Sequence, residues 1–231
     1  MTAVFGPTDS DRTRPNPAEL ARTAIASACV GCLTTYPRSR PAQPHHTRVV
    51  LEPDVEGRPV VRLAFGSQAA AQVLARALAT LRVGVPGTSA VLVHGSMQRL
   101  AAERGQLRYQ VEVVAVRVAS PHWQRVPLTD YRAADPDPLR REAPGVLDHL
   151  ARHHGPQLTA CLRALGHDTQ WVEPRSLDCR GLDVLSVDAD GVELVRLAFP
   201  RPVTQLRDLS TGLAAPLLCR CHRDGATDGS G

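Results

Sequence analysis

Lysine is absent: all 27 basic residues among the 231 of this chain are arginine. Without an ε-amine there is no Schiff-base enzyme and no lysine-bound pyridoxal phosphate. There is also no phosphate loop of the GxxxxGK[ST] kind. Aromatic residues make up only 3% of the chain, so platforms for stacking a flat ligand are scarce. Isoleucine and asparagine occur once each, as Ile25 and Asn16. With abundant alanine, proline and glycine, this is the composition of GC-rich coding, so arginine content alone is no phosphate-binding signal. No apolar run approaches the ~20 residues that span a bilayer. The opening MTAVFGPTDSDRTRPNP lacks the apolar centre of a secretory signal. The expectation is a cytoplasmic protein with no membrane partner and six reduced cysteines. The net charge of +4 is modest and the arginines are interspersed with acids, so no nucleic-acid partner is expected.

What is present suffices for a real core: 43% hydrophobic residues in a length that suits one large domain or two small ones. Residues 1–16 are polar and proline-rich, and 223–231 (RDGATDGSG) are small and polar; both are expected to be disordered. A helix is expected from Pro17 to Ala28, with Leu20, Ala21, Ala24, Ile25 and Ala28 on a helical period. Strands are expected over Val30–Tyr36, Thr47–Glu52 and Pro59–Phe65, then a helix over Gln68–Leu81. Further strands follow over Arg82–Val85, Ala90–Leu100 and Gln106–Val118. The last of these alternates, with Leu107, Tyr109, Val111, Val113 and Ala115 on one face. Helix, three strands, helix, three strands is not an alternating βα pattern, so a doubly wound parallel sheet is not expected. A small closed or split barrel of six antiparallel strands fits instead, over 17–126.

Residues 127–143 carry prolines and charges in the manner of a linker. From 144 to 222 the pattern is again α+β. Helices are expected over Gly145–His154 and Gln157–Leu165, broken at Gly155-Pro156. A hairpin then turns at Asp188-Ala189-Asp190-Gly191 between Val184–Val187 and Val192–Leu197. A final helix is expected over Val203–Leu218. Trp123 and Trp171 are read as packing residues.

Two side-chain groups suit chemistry. His149 and His153 lie four apart and share a helix face at metal-ligand spacing, while His154 points elsewhere. The competing reading makes them helix-end imidazoles bonded to the last carbonyls. Cys29 and Cys32, with Cys219 and Cys221, are the thiolates that a shared zinc site would use. Burial as small apolar side chains is the expectation for the first pair, with zinc as the alternative. GxSxG is absent, so no serine-hydrolase elbow is present.

The first half, through CVGCLTTYP, TRVVLEPDVEGRPVVRLAF and GSQAAAQVLARAL, resembles the FMN-binding split β-barrel of the pyridoxamine-phosphate-oxidase-like superfamily. The second half, through VLDHLARHH, LDCRGLDV and VRLAFPRPV, resembles the small α+β domain that follows this barrel in HugZ-type haem-utilisation proteins. The resemblance covers roughly 17–220. It implies a homodimer formed through the barrel sheet and a tetrapyrrole or flavin ligand. It assigns Arg48 and Ser67 to a cofactor phosphate or propionate, and it makes His222, His149 and His153 the candidate haem ligands. Departures accompany it. Ala151 and His153 replace an Asn and an Asp of the relatives' helix, and Ala71 stands where relatives often have Lys or His. Three readings follow: a haem-binding protein that carries or oxidatively degrades its ligand, an FMN-dependent oxidoreductase, and a non-catalytic binding or regulatory protein.

Overall fold

Asn16, the single asparagine, starts the fold. Its Oδ1 accepts from the N–H groups of Ala18 (2.9 Å) and Glu19 (3.0 Å), while Glu19 Oε2 accepts from the Asn16 N–H (2.9 Å). This capping box, with Pro17 at the first helical position, launches helix α1 (Pro17–Ser27). The computed structural model describes residues 14–36, 43–52, 56–76, 78–84, 90–103, 105–119 and 122–209. The expectations for 1–13, for 210–231 and hence for His222, Cys219 and Cys221 lie outside the described residues.

Strands β1 (Val30–Thr35), β2 (His45–Glu52) and β3 (Val60–Ala64) precede helix α2 (Gln68–Arg76). Strands β4 (Leu78–Gly84), β5 (Ala90–Arg99), β6 (Gln106–Ala119) and β7 (Trp123–Val126) follow. The sheet order is β3-β2-β1-β4-β5-β6-β7, and an antiparallel β3–β6 pairing closes the first six strands into a barrel. The six-stranded antiparallel split barrel expected from the sequence is therefore the observed architecture. Its core takes one face of each strand, including Leu33, Val49, Leu51, Val61, Leu63, Leu81, Val83, Val91 and Val93.

Three local readings are corrected. Helix α2 stops at Arg76, and Leu78–Leu81, expected as its end, begins β4. Ala79, Leu81 and Val83 alternate inward there, and pairing to β1 and β5 outweighs the helix propensity of Ala and Leu. In β6 the inward series ends at Val113. A β-bulge opposite His94/Gly95 inserts Val114 as an extra residue, so Ala115 turns outward and Val116 and Val118 turn in. Residues 127–143, expected as a linker, contain helix α3 (Leu128–Ala133), entered from Pro127. Tyr131 on α3 is 1% exposed, and Leu139 is equally buried in the second core.

Tyr131 joins a small lock. Its hydroxyl donates to the Gly57 carbonyl (2.7 Å), its ring lies 5.5 Å from the Arg22 guanidinium, and Arg22 donates to the Glu56 carbonyl. Gly57 has φ of +80°, and a Cβ there would strike both Arg22 and Tyr131.

The barrel's outer face also carries an ion-pair cluster. Arg62 and Arg108 lie directly opposite each other across β3 and β6, a repulsive placement. Glu52 relieves it, accepting from Arg62 Nε (2.7 Å) and from Arg108 Nε (2.7 Å) and NH2 (2.6 Å). The Arg108 hydrogen bonds foremost, with Arg62 assisting against burial, lower the Glu52 carboxyl from an ordinary 4.5 to about 2. A depressed folded pKa stabilises the fold above the unfolded value, and that stabilisation is lost as pH falls. Urea midpoints of the wild type are therefore expected to drop between pH 4.5 and about 2. Glu52→Gln should start lower at neutral pH and show a flatter profile in that window.

From Pro138 onward lies a second compact unit. Helices α4 (Ala143–His153) and α5 (Gly155–Ala164) pack on a three-stranded antiparallel meander, ordered β10-β9-β8. Its strands are β8 (Trp171–Asp178), β9 (Gly181–Val187) and β10 (Val192–Ala198). The β9–β10 hairpin matches the sequence reading, whereas β8 went unforeseen. Of the expected last helix, a helical turn over 206–209 is described. Leu158, Leu162, Leu182 and Val184 centre this core.

The LDCRG segment gains a physical reason here. Asp178 Oδ1 accepts the Arg180 N–H (2.7 Å) and closes the β8–β9 turn. Both Asp178 oxygens accept from Arg196 NH2 on β10 (2.6 and 2.8 Å), and Arg196 is 3% exposed. The Arg196 side chain crosses Gly181, where a Cβ would lie 2.9 Å from its Nε and 2.5 Å from the Leu197 carbonyl oxygen.

Candidate functional site

Strand register places a row of arginines across the outer face of the barrel sheet. Cys32 on β1 lies opposite Arg48 on β2 and Arg82 on β4. Arg82 in turn lies opposite Leu92 on β5, which lies opposite Arg117 on β6, which lies opposite Arg125 on β7. Directly opposed residues share a face, so Arg48, Cys32, Arg82, Leu92, Arg117 and Arg125 form one line. All four arginines are exposed. The Val114 bulge shifts the phase of β6 and thereby turns Arg117 outward into the line.

The row carries uncompensated charge. On the neighbouring part of the same sheet Glu52 neutralises Arg62 and Arg108. Among the described residues, no carboxylate pairs with Arg48, Arg82, Arg117 or Arg125. Between Arg48 and Arg82 lies a recess of about 460 Å³, lined also by Val30, Gly31, Cys32 and Gly84. The small Cys32 and the bare Gly84 form its floor. The guanidinium groups of Arg48 and Arg82 on its rim are of the kind that pair with a carboxylate or phosphate.

A polar row borders the arginines on one side. His46 Nδ1 bonds Thr34 Oγ1 (2.9 Å), and Thr80 Oγ1 bonds both Tyr36 OH (3.0 Å) and His94 Nδ1 (2.8 Å). Burial, with the Arg117 charge adding, holds His94 below the ordinary imidazole range, so it is neutral at physiological pH. With Nδ1 engaged by Thr80, Nε2 is the His94 nitrogen left to meet a ligand. On the other side are Val30 (46% exposed) and Val50 (51%), directly opposed. Trp123, expected as packing, is instead 41% exposed, its ring 5.9 Å from the Arg117 guanidinium.

The residues singled out in the sequence fare differently. Arg48 sits at the end of the arginine row. Ser67 does not join it: its Oγ accepts the Ala70 N–H (3.2 Å) as the cap of α2, and no interaction links it to Arg48. Cys29 is exposed and Cys32 half-buried, so the expectation that both are buried is corrected. Cys29 follows Ala28, the C-cap of α1, and Cys32 takes the outward phase of β1. Among described cysteines, Cys161 is buried, and burial pushes its thiol up into an unreactive range.

In the second unit, His149 and His153 share a face of α4 as expected, with ring centroids 5.1 Å apart. His154 does not point elsewhere. It leaves the helix at φ −125° and ψ 15°, which turns its ring back until Nε2 lies 3.1 Å from His149 Nε2. Burial first, and then the two neighbouring imidazoles, lower the pKa of His154. A cleft of about 670 Å³ on this unit is lined by Gly155, Pro156, Thr159, Arg163 and Trp171, among others. On its wall Arg163 is held in place by two hydrogen bonds to the Thr169 carbonyl (3.0 and 2.8 Å).

Sequence reading missed Arg82, Arg117, Arg125, His46 and His94. The available signal was their outward phase on strands whose apolar residues face the core. No protein-family model matches the chain, and no curated protein does. Among solved structures, the chain is similar to a haem-binding protein from Mycobacterium smegmatis, with 22% identity and a TM-score of 0.62. That likeness covers 89% of this chain and 97% of the other. A protein of unknown function from Agrobacterium tumefaciens is 16% identical over 94% of this chain and 99% of its own, at a TM-score of 0.43. A pyridoxamine 5'-phosphate oxidase-related, FMN-binding protein from Nostoc punctiforme is 9% identical over 53% of this chain and 91% of its own, at 0.36. The chain thus has the fold of the Mycobacterium smegmatis protein, a six-stranded antiparallel split barrel within an α+β architecture.

Proposed function

We propose that this chain binds haem or a related tetrapyrrole on the outer face of the barrel sheet. Arg48 and Arg82 would receive the propionates, and the apolar macrocycle would lie toward Val30, Val50 and Trp123. The observation that carries this reading is the arginine row without acids. The chain matches Arg62 and Arg108 with Glu52 on the same sheet, yet leaves the Arg48–Arg125 line to be neutralised from outside. A flat apolar ligand with an anionic edge meets both halves of that surface. The haem-binding protein from Mycobacterium smegmatis, with its shared fold, supports the same class of ligand.

Haem, when bound, supplies an iron centre that carries electrons or activates oxygen. The chain's own residues position it. His94, oriented by Thr80, lies on the polar side of the arginine row, away from Val30 and Val50, and its Nε2 would hydrogen-bond the anionic edge of the ligand. His222, the candidate that the resemblance names, would be the iron donor, with His149 and His153 as the alternatives. A second copy of the chain laid over this face would cover Val30, Val50 and the ligand together, which is the homodimer the sequence resemblance implies. In that arrangement bound anions would also separate two facing arginine rows.

The flavin reading uses the same anion site for a phosphate, with Arg48 and Arg82 as its donors and Ser67, the cap of α2, outside it. Haemin titration followed in the visible separates the readings. A sharp, saturable Soret band at one haem per chain is expected, and His222→Ala should shift or weaken it. If only His149→Ala or His153→Ala does so, the iron donor lies there instead. A flavin spectrum in the purified protein would favour FMN. Absence of both flavin and saturable haem binding would leave the non-catalytic regulatory reading.

A further inference from the structure

We propose that His149, His153 and His154 form a binding site for a borderline divalent transition metal, Zn2+ or a chemical neighbour such as Co2+ or Ni2+. This site belongs to the second unit and does not depend on the haem reading. The central observation is the 3.1 Å separation of His149 Nε2 and His154 Nε2. Two imidazoles bound to one tetrahedral metal at ~2.0–2.1 Å hold their nitrogens roughly 3.4 Å apart. The pair is therefore spaced for a shared ion with only a small outward movement. Without metal, one ring must donate a proton to the other along this line; a metal ion takes a lone pair from each.

The backbone preorganises the pair. His154 is 2% exposed, and its N–H donates to the Leu150 carbonyl (2.9 Å), closing α4. Its own carbonyl accepts from the Leu158 N–H (2.9 Å), opening α5. His154 is thus held on both sides by helical hydrogen bonds. His153, one helical turn after His149, is exposed, and its ring stands 5.1 Å from that of His149. It would join as third donor after a side-chain rotation, leaving a coordination position open to solvent. The adjoining charges do not compete: Asp148 and Arg152 pair with each other across one turn (2.8 Å). Three neutral nitrogens and no carboxylate select borderline metals over Mg2+ and Ca2+, which take oxygen ligands.

The test uses the full, tag-free chain, stripped with chelator and titrated with Co2+ alone. Saturation at one ion per chain is expected, with visible d–d bands and no thiolate charge-transfer band; Zn2+ should displace the cobalt. His149→Ala and His153→Ala are each expected to weaken binding by about tenfold or more. Both positions are exposed, so neither variant endangers folding as replacement of the buried His154 would. Binding unchanged in the double variant, or no saturation, would overturn the proposal. A charge-transfer band abolished by Cys29→Ser with Cys32→Ser would move the metal to the cysteines and equally overturn it. Haemin titration of the His149→Ala, His153→Ala variant keeps the two readings apart. A retained Soret band with abolished cobalt binding supports a separate metal site, whereas loss of both assigns these imidazoles to haem.

Discussion

Replacing Asp178 by alanine is expected to destabilise the second unit by about 3–5 kcal/mol, because it strips the main partner from a buried guanidinium. Arg196 is 3% exposed, and Asp178 meets it with both oxygens at 2.6 and 2.8 Å. Asp183 remains at 3.3 Å and keeps the loss toward the lower end of that range. The substitution also deprives the Arg180 N–H of its turn acceptor. Asp178→Asn separates the effects, since an amide oxygen can cap the turn but brings no charge. It should fall between wild type and alanine. Hydrogen exchange read by peptide is the suitable measurement. Peptides over 171–198 should lose protection in Asp178→Ala, while those from β5 and β6 should keep theirs. Unchanged protection over 171–198 would mean that Asp183 alone satisfies the arginine.

The same segment marks how far the sequence could be read. The hairpin around Asp188–Gly191 was legible because turn chemistry and period-two alternation are local. The partner of Asp178 was not: Arg196 lies eighteen positions on, and its inward orientation depends on β10 pairing with β9. Strand β8 was missed for a different reason. Pro174 interrupts its alternation, and the structure accommodates it at a register shift between Pro174 and Ser176 on an edge strand. Strand β7 has only Val126 facing inward, so four residues gave no period to detect.

The barrel's candidate site was legible residue by residue but not as an assembly. Each strand's inward phase predicts an outward one, so Arg48, Arg82 and Arg117 could be set outside, provided the β6 bulge were known. Their alignment depends on the order β2-β1-β4-β5-β6-β7, in which β1 neighbours both β2 and β4. Register that joins residues 48 and 82 through Cys32 is a property of the β1–β4 pairing across the intervening helix and strands, and no local pattern encodes it. In the histidine helix the i, i+4 pair followed from spacing. The recruitment of His154 followed from where α4 ends, the least predictable feature of a helix.

The arginine row makes the sharpest demand on the proposed function. Arg48→Gln combined with Arg82→Gln is expected to weaken haemin binding by about 100-fold, at about 1.5 kcal/mol for each charge-assisted hydrogen bond removed. Reversal to Glu at both positions should weaken it further, by placing carboxylates against propionates. Lys at both positions keeps the charge but not the planar fork, so it should retain an intermediate affinity. Ionic strength supplies an independent readout. Exposed pairs are screened by salt, so wild-type affinity should fall as salt rises, and the Gln double variant should show little slope. Arg62→Gln is the matched control: an arginine of the same sheet face already engaged by Glu52, whose removal should leave haemin affinity unchanged. If the Arg48, Arg82 double variant binds haemin within about twofold of wild type with an undiminished salt slope, the propionates do not sit on this row.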